Sequence, residues 1–74
     1  MKRRKFLEFI SSEKTSTMIP VVLIRHIRRT YESGSSMKDK WRVRLTMVNG
    51  DEFISNHFTE ELQKEYYESL KNQL

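Results

Sequence analysis

Ser55 and His57 stand two residues apart, and in an extended strand side chains at that spacing share a face. A hydroxyl beside an imidazole is the elementary pair of nucleophilic catalysis, but it needs a pocket and a carboxylate that orients the ring. Read as part of an exposed sheet, these two residues have neither. His26 and His57 are the only histidines and no cysteine occurs, so the chain has no metal-ligand spacing. Asp51 and Glu52 follow Asn49-Gly50 and read as solvated turn residues. With two glycines in the chain there is no glycine-rich phosphate loop. The expectation is a protein without enzymatic activity and without a cofactor.

Cationic side chains are the stronger chemical signal. They fall into three groups: Lys2, Arg3, Arg4 and Lys5; Arg25, Arg28 and Arg29; and Lys40, Arg42 and Arg44. Guanidinium and ammonium groups pair readily with phosphate. Residues 1–44 hold twelve Lys/Arg against four acids, or +8, while residues 45–74 hold two lysines against six acids, or −4. So divided a charge favours an anionic partner, or copies of the chain that meet with opposite patches. No helix-turn-helix, zinc-finger or RNA-binding aromatic motif accompanies the arginines.

The elements that must position these groups follow from periodicity. Trp41, Val43, Leu45 and Met47 alternate with Lys40, Arg42, Arg44 and Thr46, the period-2 pattern of a half-buried strand. Asn49-Gly50 suits a two-residue type I′ turn. In that register Leu45 faces Ile54, Val43 faces Asn56 and Trp41 faces Phe58 on the core side. On the other side Thr46 meets Phe53, Arg44 meets Ser55 and Arg42 meets His57. The outer face would then gather Arg28, Arg42 and Arg44 with His26 and His57, and Phe53 would be its one aromatic.

Upstream, Phe6–Ile10 reads as a first strand, Ser11–Thr17 as a polar turn-rich segment, and Ile19–Leu23 as a turn around Pro20. Ile24–Tyr31 reads as a strand with Ile27 and Tyr31 inward and His26, Arg28 and Thr30 outward. That phase also points Arg25 and Arg29 inward, which implies a bulge or an edge. Thr59–Leu74 reads as a helix, with Thr59 as N-cap, Glu60 and Glu61 in the first turn and Lys71 in the last. Its apolar stripe is Leu62, Tyr66 and Leu70, widened by Tyr67 and Leu74. The fold class is α+β: a small antiparallel sheet of three to four strands, with one C-terminal helix packed on one face.

Seventy-four residues make one domain, 1–74, with 1–5 as a flexible basic tail and 59–74 as the C-terminal helix. A chain this short has a small core and often gains stability by dimerising. Met1–Lys5 is charged like the start of a signal peptide, but only Phe6–Ile10 follows and Glu8 interrupts it. With no apolar run approaching the roughly 20 residues of a membrane span, the expected location is cytoplasmic, with no membrane partner.

The succession MIPVVLIRHI, a polar loop, WRVRLTMVNGDEF and then FTEELQKEYYESL resembles a pattern in many short bacterial and bacteriophage proteins. The resemblance covers roughly residues 18–74, and it implies a fold and a phage or prophage setting rather than an activity. The combined reading is a binding module that contacts nucleic acid through Lys2, Arg3, Arg4, Lys5, Arg28, Lys40, Arg42, Arg44 and His57. The alternative is a homo-oligomeric interaction module, such as a phage-encoded modulator of a host protein. A third is an assembly that sequesters a small anionic nucleotide. In the homo-oligomeric module, the acidic helix residues Glu61, Glu65 and Glu68 would face a neighbour's basic sheet.

Overall fold

The computed structural model describes residues 5–11, 14–33 and 40–74. Five strands and one helix follow in the order β1 (Phe6–Ile10), β2 (Ser16–Pro20), β3 (Ile24–Tyr31), β4 (Trp41–Met47), β5 (Glu52–His57) and α1 (Glu60–Asn72). β1 and β2 form an antiparallel hairpin, and β3-β4-β5 form a separate antiparallel sheet. The α+β class therefore stands, with two sheets in place of one. Ser16–Pro20, read from sequence as turn, is a strand whose outward residues Ser16 and Met18 are exposed. A single 3₁₀ turn, Val21–Leu23, carries the chain from β2 to β3, as Pro20 implied.

The β4–β5 turn differs from expectation by one residue. Met47 donates its amide to the Asp51 carbonyl at 2.7 Å, and Gly50 donates to the Met47 carbonyl at 3.0 Å. Gly50 has φ +97, whereas Asn49 is not left-handed. Val48, Asn49 and Gly50 thus form a three-residue loop, a type I turn closed by a left-handed glycine. Asn49 spends its side chain on the loop: its Oδ1 accepts from the Asp51 amide at 3.0 Å. The extra loop residue moves β5 by one position, so Trp41 pairs with His57, Val43 with Ser55 and Leu45 with Phe53. Every β5 side chain consequently changes face. Phe53, Ser55 and His57 belong to the core side, and Ile54 and Asn56 to the outer side. Phe58, expected opposite Trp41, lies beyond the strand and is exposed.

β3 behaves as its arginines implied. It is an edge strand with a register shift between Ile24 and His26, which is the bulge at Arg25. Beyond the bulge, Ile27, Arg29 and Tyr31 share the inner face with Leu45, Val43 and Trp41, while His26, Arg28 and Thr30 face outward.

The core lies between the inner face of β3-β4-β5 and a second layer made of α1 and the β1–β2 hairpin. Leu7, Phe9 and Ile19 from the hairpin, Ile27, Val43, Leu45 and Met47 from the sheet, and Leu70 from the helix are buried together. Each such side chain contributes about 1.5–3 kcal/mol on leaving water. Phe9 joins the layers, its ring 5.9 Å from Phe53 and 5.8 Å from Tyr66. Thr59 caps α1 by accepting from the Leu62 amide at 3.1 Å. The buried helix face is Gln63, Tyr66, Tyr67 and Leu70, whereas Leu62 is exposed. Gln63 takes the place expected of Leu62 because its Nε2 donates to the carbonyls of Thr30 at 2.8 Å and Arg42 at 2.7 Å. Among the described residues no helix is long and apolar enough to cross a membrane.

Candidate functional site

Because α1 and the β1–β2 hairpin both pack on the inner face, the outer face of β3-β4-β5 is covered by no described element. Alternation puts His26, Arg28 and Thr30 of β3, Arg42, Arg44 and Thr46 of β4, and Glu52, Ile54 and Asn56 of β5 on it. Arg28 and Arg44 are direct cross-strand partners, an arrangement that like charges disfavour. Glu52 relieves it. Its Oε2 lies 3.3 Å from Arg28 Nη2 and its Oε1 lies 3.4 Å from Arg44 Nη1. Thr46 Oγ1 also donates to Glu52 at 3.2 Å, and Arg44 Nε donates to Thr30 Oγ1 at 3.2 Å.

Arg42 is outside this network. It pairs across the ladder with Asn56, and both Arg42 Nε and Asn56 Oδ1 are buried without a hydrogen-bond partner. Among the described residues the face therefore carries three guanidinium groups against one carboxylate, and one of the three has unused donor capacity. The arginines are legible in the sequence, but Glu52, expected as a solvated turn residue, is not. The missing signal was the hairpin register, which alone sets Glu52 diagonally between Arg28 and Arg44.

The other predicted residues are dispersed. His57 is not on the basic face; the three-residue turn carries it to the inner side, where its ring centroid lies 5.1 Å from that of Tyr66. Phe53 moves inward with it, so the outer face has no aromatic among the described residues. Lys5, assigned to a free tail, is exposed but anchored: its carbonyl accepts from the Val21 amide at 2.9 Å. Lys40 is half-buried at the start of β4, its carbonyl accepting from Glu32 at 3.0 Å. Lys2, Arg3 and Arg4 lie outside the described residues. Arg29, exposed on the inner side of the edge strand, stacks over the Tyr67 ring at 5.6 Å, beside Lys71 at 5.8 Å.

Contrary to the expectation from their spacing, Ser55 and His57 do not lie on an exposed sheet. Ser55 is 3% exposed, and its Oγ is 2.5 Å from His57 Nε2. A groove of about 530 Å³ opens beside them, bordered by Ile10, Lys14, Phe58 and Tyr66. The Tyr66 hydroxyl accepts from the Ile10 amide at 2.8 Å and donates to the Ile10 carbonyl at 3.2 Å. Burial pushes this hydroxyl above the usual tyrosine range; the bond to Ile10 opposes the shift, and the nearby Glu8 charge adds to it.

No family model, no curated protein and no solved structure matches the chain.

Proposed function

We propose that this chain is a non-enzymatic module that binds the phosphate backbone of nucleic acid through the outer face of β3-β4-β5. Arg28, Arg42 and Arg44 are the contacting groups. The observation that carries this reading is that these three arginines share one open face with a single carboxylate among the described residues, Glu52. Thr30, Thr46 and Asn56 add neutral hydrogen-bonding groups of the kind that position phosphate oxygens. With Phe53 in the core, His26 is the one ring on this face among the described residues, a thin platform for base stacking, which favours backbone contact without sequence preference.

Fluorescence anisotropy with a labelled oligonucleotide duplex tests this. Neutralising about three phosphates gives a slope of log K against log salt near −2.7, so affinity falls roughly 40-fold between 50 and 200 mM salt. Arg42→Glu with Arg44→Glu should abolish binding while the far-UV circular dichroism stays unchanged. Glu52→Gln should strengthen binding, since it releases Arg28 and Arg44 from their shared counterion. Absence of binding at low salt, or binding indifferent to the double substitution, overturns the proposal.

A further inference from the structure

The two edges of the three-stranded sheet are built differently. β3 carries a bulge at Arg25 and turns Arg29 to the inner face, and both devices deter the addition of another strand. β5 has none of them. It pairs with β4 in unbroken register from Trp41–His57 to Thr46–Glu52, contains no proline, and keeps Phe53, Ser55 and His57 on its inner side. The bond from the Met47 amide to the Asp51 carbonyl sets the phase of the ladder. Asp51, Phe53, Ser55 and His57 turn their backbone groups toward β4, and Glu52, Ile54 and Asn56 turn theirs away. Among the described residues no strand pairs with those outward groups.

We infer that a second copy of this chain adds to this edge, β5 against β5, antiparallel about a two-fold axis at Ile54. The two three-stranded sheets become one of six strands. An isologous contact requires each copy to present the same self-complementary patch, and β5 with its surroundings does so. Its first end is acidic, with Asp51 and Glu52. Its far end runs past Lys14, which borders the groove beside Asn56 and Phe58 and makes no ion pair among the described residues. Antiparallel pairing about Ile54 sets Glu52 of one copy opposite Asn56 of the other, and Asp51 opposite His57. Each acidic end is thereby carried to the other copy's Lys14, twice over. The same register draws the exposed apolar side chains Val48 and Phe58 toward one another across the seam, 56% and 66% accessible in the single chain. It also brings a second carboxylate, the other copy's Glu52, to the flank of Asn56, one strand from the unpartnered Arg42 Nε. The two basic faces become a single continuous surface.

Sedimentation equilibrium of the full chain over a range of concentrations tests the inference without any nucleic acid, so its outcome is separate from that of the function proposed above. A monomer–dimer equilibrium is expected. Ile54→Pro removes an amide that points away from β4, a position where an edge strand tolerates proline, and should leave a folded monomer at every concentration. The chain has no cysteine, so Ile54→Cys should cross-link into a covalent dimer on mild oxidation, whereas Met18→Cys on β2 should not. Lys14→Glu should weaken the dimer, and combining it with Asp51→Lys should restore it. A wild-type chain that stays monomeric at all concentrations overturns the inference, as does a dimer that survives Ile54→Pro. Should Ile54→Pro fail to fold, the cross-linking decides, and failure of Ile54→Cys to cross-link is equally fatal.

Discussion

The two faces of β3-β4-β5 use the same residue types for opposite ends. On the inner face, Arg29 lies over Tyr67, Gln63 donates to two strand carbonyls, and Ser55 and His57 bond to each other. These polar groups are matched within the fold. On the outer face, Arg28 and Arg44 share Glu52, and Arg42 has a guanidinium nitrogen with no partner. Burial explains the contrast. A polar group sealed from water costs about 1–3 kcal/mol if left unpaired, so inner positions are occupied by side chains whose partners are in reach. A solvent-facing position carries no such requirement, so the half-exposed Arg28 keeps its charge available for a ligand, while Arg42 Nε is an outer-face group buried without a partner.

The largest expected effect lies on the inner face. Leu45→Ala should cost about 2–5 kcal/mol, a large share of the stability of so short a chain, whereas Ile54→Ala on the outer face should cost less than about 1 kcal/mol. Urea unfolding of both variants under conditions that keep the chain monomeric measures the difference, and equal losses would erase the distinction between the faces. Gln63→Leu comes next, at about 1–3 kcal/mol, because it withdraws both bonds that tie α1 to the Thr30 and Arg42 carbonyls. A neutral outcome would mean that those carbonyls are content with their ladder partners alone.

Tyr66 gives a smaller, pH-dependent effect. Its hydroxyl titrates higher when folded than when unfolded, so its contribution is complete below about pH 10 and is lost as pH rises through the folded value. Melting temperature should therefore fall in that alkaline window, and Tyr66→Phe should flatten the fall while lowering stability at neutral pH by about 1 kcal/mol for the lost bonds to Ile10. The smallest change belongs to the outer face. Glu52→Gln breaks two partly exposed ion pairs and should alter stability by no more than about 1 kcal/mol. A larger loss would show that Glu52 holds the sheet together rather than merely masking its arginines.

Local patterns in the chain were enough to place most elements. Alternation from Trp41 to Met47 identified β4 and its inner row, Thr59 with Glu60 and Glu61 marked the start of α1, and Pro20 marked the turn into β3. The inner-face phase of Arg29 was also legible, and the conflict of placing Arg25 inward as well pointed to the bulge of an edge strand. These are short-range properties, set by side-chain period, capping chemistry and the missing amide of proline. Arg28, Arg42 and Arg44 could be assigned to one face on the same basis.

What the chain alone left open depended on a single residue of loop length. Asn49-Gly50 fits either a two-residue turn or a three-residue one, and the two differ in which face of β5 meets the core. The tertiary structure decided for the longer loop, because that register turns Phe53 toward Phe9 and seats Ser55 against His57 beneath the helix. It likewise chose Gln63 over Leu62 for the buried helix face, since only an amide satisfies two strand carbonyls there. It made Ser16–Pro20 a strand by giving it β1 as a partner. Each of these choices rests on contacts between residues distant in sequence, whose energies no local pattern contains.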